Sequence, residues 1–129
     1  MEKEFVPYEL AVKLKELGFD EPCLTCYDKL EMIASHSKNV FDYKNYNTSG
    51  YMVSRPTFSQ AFRWFREKYN AVCEIIRRED KNHSTFIGWV YIDNRKIDVV
   101  SYWDSKTYEE AELACLTKLI EIVQGGNNE

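Results

Sequence analysis

Hydrophobic residues recur along this chain with two different periods, and each period predicts a different element. Between Pro7 and Gly18, Leu10, Leu14 and Leu17 fall at i, i+4 and i+7, with Lys13, Lys15 and Glu16 off that line. This is the stripe of a helix over about 7–17. Pro7 suits a first turn, where its missing N–H costs nothing, and Gly18 supplies a left-handed stop. The segment CLTCYDKLEMIAS carries β-formers at Thr25, Tyr27 and Ile33, which predicts strands over 23–27 and 30–34 joined at Asp28 and Lys29. Residues 35–55 hold Asn, Ser and Gly without a sustained period, so they are expected to form a loop. A loop of that length in a small domain signals function, mobility or an element too short to show a period.

The stretch RPTFSQAFRWFREKYN at 55–70 returns to the helical period. Thr57 and Gln60 form a capping box, and Phe58, Phe62, Phe65 and Tyr69 follow as a core stripe. Arg63, Arg66 and Glu67 fall on the outer face. Trp64 lies about 160° from Phe62 and about 100° from Phe65, outside the stripe. Three β-rich runs come next, AVCEIIRR, TFIGWVYID and KIDVVSYWD, separated by EDKNHS and by a tight DNRK turn. That is the pattern of a meander or paired hairpins. On the middle run Phe86, Gly88, Val90 and Ile92 share one face, and Ile87, Trp89 and Tyr91 the other. A second capping box, Thr107 with Glu110, opens the helix YEEAELACLTKLIEIVQ, which Gly125 and Gly126 are expected to end. Its stripe is Leu113, Leu116, Leu119, Ile120 and Val123, widened by Cys115 and Ile122. The predicted class is α+β, in the order α-ββ-α-βββ-α, a mostly antiparallel sheet with helices packed on one side.

Composition narrows the class. A chain of 129 residues with 44% hydrophobic and 15% aromatic residues is expected to be one ordered domain, 1–129, with enough apolar area to offset the entropy of ordering. The opening MEKEFVPYEL is charged where a signal peptide needs an apolar core, and no apolar run approaches the ~20 residues of a membrane span. A cytoplasmic protein without membrane contact is therefore expected, with Cys23, Cys26, Cys73 and Cys115 kept as thiols. The net charge of −4 is uneven: residues 1–54 sum to −3, 55–96 to +4 and 97–129 to −5.

Chemistry-bearing residues are dispersed. Cys23 and Cys26 make a CxxC, but no second pair exists and His36 and His83 stand at no standard zinc spacing. Asp93 belongs to a turn and Asp104 precedes a helix, so with Asp98 they make a poor metal set. The five glycines form no phosphate-binding loop. The expectation is a non-enzyme with no metal and no cofactor. The basic third is more informative, because Arg55, Arg63, Arg66, Arg77, Arg78, Arg95 and Lys96 interleave with Trp64, Tyr69 and Tyr91, and the preceding loop adds Phe41, Tyr43, Tyr46 and Tyr51. Arginine and aromatics suit RNA phosphates and unstacked bases, and equally the hot spots of protein interfaces. An acidic total opposes non-specific nucleic-acid binding. The expected contact residues are Arg55, Arg63, Trp64, Arg66, Arg77 and Arg78. The alternative is a self-associating structural protein in which the strand face with Trp89 and Tyr91 packs in a homodimer.

Three blocks, KEFVPYELAVKLKELGFDEPC at 3–23, QAFRWFREKYN at 60–70 and TYEEAELACLTKLIEIV at 107–123, resemble a set of small proteins from phages and mobile elements of Bacteroidota. The likeness covers roughly 50 residues and brings no catalytic or binding residues with it. It implies a phage accessory protein that binds and inhibits a host defence or nucleic-acid-handling complex. An anti-CRISPR protein acting on an RNA-targeting effector or its guide RNA fits that description, with a host protein or ribonucleoprotein as partner.

Overall fold

The computed structural model describes residues 2–36, 42–80, 83–100 and 106–127. The fold is α+β, with three α-helices and two three-stranded antiparallel sheets among the described residues. It groups into two compact units, Met1–Ala61 and Phe62–Glu129. Among the described residues no helix is long and apolar enough to cross a membrane.

In the first unit, helix α1 (Tyr8–Glu16) starts after Pro7 and buries Leu10, Ala11 and Leu14. Its end follows from Gly18, whose φ of 95° lies in the left-handed region. The Gly18 N–H reaches the Lys15 carbonyl at 3.0 Å and the Phe19 N–H reaches the Leu14 carbonyl at 2.9 Å. This is a Schellman closure, and the apolar clasp that accompanies it is Phe19 with Leu14, both buried. Strands β1 (Thr25–Tyr27), β2 (Ile33–His36) and β3 (Val53–Arg55) pair in the order β2-β1-β3.

Two expectations are corrected here. The β1–β2 connection is wider than a two-residue join, because the Asp28 carboxylate accepts from the Leu30 and Met32 N–H groups and Glu31 takes a left-handed φ of 64°. The expected loop 35–55 contains structure: a 3-10 turn at Tyr46–Thr48 and strand β3, which pairs with β1. Three residues are too short to display a period of two, so β3 left no trace in the hydrophobic pattern. Residues 37–41 of that expected loop, including Phe41, lie outside the described residues.

Helix α2 (Phe58–Tyr69) carries the chain from one unit to the next. Its capping box is formed in both directions: the Gln60 N–H donates to Thr57 Oγ1 and the Thr57 N–H to Gln60 Oε1, each at 3.1 Å.

In the second unit, β4 (Ala71–Asp80), β5 (His83–Ile92) and β6 (Arg95–Val100) form a meander in sequence order. The β5–β6 turn has Asp93 at φ 52° and Asn94 at φ 67°, the left-handed pair whose twist matches a hairpin. The run expected to end at 104 passes out of the described residues after Val100. Helix α3 (Tyr108–Asn127) contacts all three strands. It buries Ala111, Cys115, Leu116, Leu119, Ile120 and Val123. Leu113 departs from expectation and is 43% exposed, since at ~100° per residue it sits at the margin of that arc. Gly125 and Gly126 do not end the helix, which continues to Asn127.

Candidate functional site

The six expected contact residues divide by burial. On α2, Arg63 and Arg66 are exposed, and their i, i+3 spacing places them about 60° apart on one outer face. Behind them the aromatic residues lock together. Trp64 meets Phe65 edge to face at 5.2 Å and Tyr69 at 5.5 Å, and Phe65 lies 5.9 Å from Tyr69. The Lys68 ammonium sits 4.9 Å from the centre of the Trp64 ring, so its charge caps the cluster.

Trp64, expected outside the core stripe and among the contact residues, is 3% exposed and belongs to the buried side of α2. The sequence pattern overlooked Ala61. That small residue is fully buried, and with Phe58, Trp64 and Phe65 it defines a buried arc rotated away from the all-aromatic stripe, leaving Phe62 and Tyr69 half-buried.

Arg55 is likewise removed from the surface. It is 5% exposed on β3, opposite Thr25 of the central strand, and its guanidinium stacks 4.1 Å from the Phe5 ring centre and 5.4 Å from that of Tyr27. Its Nε is buried without a hydrogen-bond partner. Cation–π contact with two rings offsets part of the cost of enclosing that charge. Charge alone marked Arg55 as a surface residue, and only strand pairing shows otherwise.

Arg77 and Arg78 are both exposed on β4. As neighbours in a strand they point to opposite faces. Arg77 lies opposite Phe86 and bridges Glu79 at 2.9 Å, whereas Arg78 lies opposite Thr85. They do not form one patch. Trp89, expected in an association face, is half-buried, and the Lys96 ammonium covers its ring at 3.9 Å.

The cysteines separate into two pairs. Cys23 and Cys26 remain thiols and are fully buried. Burial pushes the Cys23 thiol up to about 12 against a hydrogen bond with Ser54, so by itself it stays protonated near neutral pH. Cys73 of β4 and Cys115 of α3 are placed as a disulfide with Cα atoms 6.3 Å apart, contrary to the expectation of four thiols. Composition could not reveal that the helix sets Cys115 over Cys73.

Among the described residues no three His, Cys, Asp or Glu gather in a way that could hold a metal ion. Asp98 is bridged by Lys118 at 3.1 Å, Asp93 accepts from the Asn70 side chain, and Asp104 lies outside the described residues. The side chains of His36 and His83 are also outside them.

The first unit also holds a groove that no pattern along the chain predicts. Its volume is about 450 Å³, and it is lined by Tyr8, Val12 and Lys15 of α1, Asp28 of the turn, and Tyr51 and Met52. Lys15 Nζ donates to the Ser49 and Met52 carbonyls at 2.8 Å each and fixes one wall. In the turn that supplies Asp28, Leu30 is 80% and Met32 62% exposed. The signal available in the sequence is Leu30 and Met32, two apolar residues within the strand expected over 30–34 that the structure places in the turn before β2. No protein-family model, curated protein or solved structure matches the chain.

Proposed function

We propose that this protein is a non-enzymatic binding module that presents the outer face of α2 to an anionic partner. The observation that carries the reading is the pairing of exposed Arg63 and Arg66 with a helix whose other side is held by buried Phe58, Ala61, Trp64 and Phe65. Arginines on a preorganised helix lose little backbone entropy on binding and can engage carboxylate or phosphate through two N–H groups at once. Trp64 backs that face from within the helix's buried side, and Arg55, enclosed against Phe5 and Tyr27, is no part of it. The resemblance to phage and mobile-element proteins points to a host defence or nucleic-acid-handling complex as the target, an RNA-targeting CRISPR effector or its guide RNA being the leading instance.

The test is a tagged pull-down from a Bacteroidota host lysate, with and without nuclease, using the wild type and the Arg63→Glu/Arg66→Glu double variant. One dominant protein or guide RNA, lost in the variant, is the expected result. A nuclease-sensitive catch should also show a salt dependence that the variant reduces. Capture unchanged by the double reversal would reduce the α2 face to a solvated one. Host CRISPR immunity that persists while the protein is expressed would remove the anti-CRISPR reading.

A further inference from the structure

The second unit ends its sheet on a long strand. β4 runs for ten residues, pairs with β5 along one side, and among the described residues has no strand on the other. From Glu74 to Glu79 all side chains but that of Ile75 are exposed. An edge of this length with a bare apolar residue, Ile76 at 40% exposure, is a template for pairing with another strand unless its charges prevent it.

The charges can be examined register by register. Two copies that join edge to edge in antiparallel fashion are related by a two-fold axis perpendicular to the sheet, which keeps each face on its own side. Each residue then opposes one of the same parity, so the axis must pass through a residue and not between two. Centred on Ile75, Glu74 opposes Ile76 and no charges meet. Centred on Arg77, like charges meet twice over, Arg77 against itself and Glu74 against Asp80. Centred on Ile76, Glu74 opposes the partner's Arg78 and Arg78 opposes the partner's Glu74, with the two exposed Ile76 side chains in contact on the axis. All three residues share the face opposite α3, because Cys73 and Arg77 belong to the face that the helix covers.

We propose that β4 is a self-complementary docking edge whose occupant is the same strand of a second copy. The register is centred on Ile76, and the joined strands make a six-stranded antiparallel sheet. Backbone pairing supplies the attraction, and the two Glu74–Arg78 contacts select the register. This surface is separate from the α2 face, and it assigns Arg78 to contact between copies. It also differs from association through Trp89 and Tyr91.

The test is sedimentation velocity on the full chain from micromolar to near-millimolar concentration, with circular dichroism to confirm that each variant folds. Wild type is expected to show a monomer–dimer equilibrium, and Ile76→Asp, which places two like charges on the axis, to be monomeric. Glu74→Arg and Arg78→Glu should each weaken the dimer roughly tenfold, since each replaces two attractive cross-strand contacts with two repulsive ones. The Glu74→Arg/Arg78→Glu exchange should restore it to within about threefold. A wild-type monomer at every concentration, a dimer indifferent to Ile76→Asp, or an exchange that fails to restore association would each overturn the proposal. None of these outcomes depends on the α2 partner.

Discussion

The two units of this chain are held together by different means. In the second, a ten-residue β4–β5 ladder and the apolar arc of α3 do most of the work, so its stability resides in backbone pairing and buried hydrocarbon. In the first, the strands are three or four residues long, and side chains reaching to distant backbone carbonyls take over. Lys15 binds the Ser49 and Met52 carbonyls, the Tyr27 hydroxyl donates to the Val6 carbonyl at 2.7 Å, the Asn47 amide to that of Phe19 at 2.9 Å, and the Gln60 amide to that of Pro22 at 2.9 Å. Thr25, Ser54 and Arg55 are buried there as well. Short elements leave more backbone groups to be satisfied by side chains, and a unit built from them needs a polar lattice where a longer ladder does not.

The comparison can be tested by removing one kind of support at a time. Leu119→Ala in α3 deletes fully buried hydrocarbon and should cost about 2–5 kcal/mol in denaturant unfolding. A smaller loss would mean that the second unit leans less on this arc than its burial implies.

Lys15→Met keeps the length of the stem but removes both hydrogen bonds to the 49–52 segment. A loss of about 1–3 kcal/mol is expected, with faster amide exchange concentrated in that segment. Uniform exchange would show that the polar ties are not local supports. Thr57→Ala breaks the capping box and should cost about 1 kcal/mol.

Gly125→Ala should have the opposite sign. Nothing lies within 4 Å of an added Cβ and the helix runs on to Asn127, so a gain of up to about 1 kcal/mol is expected from helix propensity. A loss would indicate a left-handed cap at that glycine.

The smallest effect concerns Glu112, whose carboxyl is pushed above its usual range by burial first and by Glu109 second. The folded chain then holds that proton to higher pH than the unfolded chain does, so stability falls as pH rises through the interval between the two values. Glu112→Gln should remove this slope and change stability at neutral pH by no more than about 0.5 kcal/mol in the favourable direction, as expected of a partly exposed site. A wild-type melting temperature that rises across that interval more steeply than the variant's would reverse the assignment.

Where a local rule carries enough information, the pattern along the chain and the structure agree. The Schellman end of α1 needed only Gly18 followed by an apolar residue. Reciprocal capping of α2 needed only Thr57 and Gln60, and the β5–β6 hairpin needed Asp93-Asn94. The long meander and the α3 arc were legible because ten or more residues repeat a period. Errors arose where an element was shorter than its own period, as in β3, or where one small residue redirected a stripe, as Ala61 did in α2. Of the candidate contact residues, the exposed Arg63, Arg66, Arg77 and Arg78 could be picked out from charge. The burial of Arg55 and Trp64 could not, because it depends on strand pairing and on which arc of α2 is enclosed.

What the sequence determined by itself is therefore the class and rough order of the elements, the end of α1 and the start of α2, and the basic character of the middle of the chain, all set by interactions among near neighbours. Tertiary structure alone decided that Arg55 lies on Phe5 and Tyr27, that Cys115 meets Cys73, that Lys15 braces a segment more than thirty residues away, and that among the described residues β4 pairs with a strand on one side only. Each of these depends on which distant segments come together, and the free energy of such a contact is a property of the pair, carried by neither segment alone.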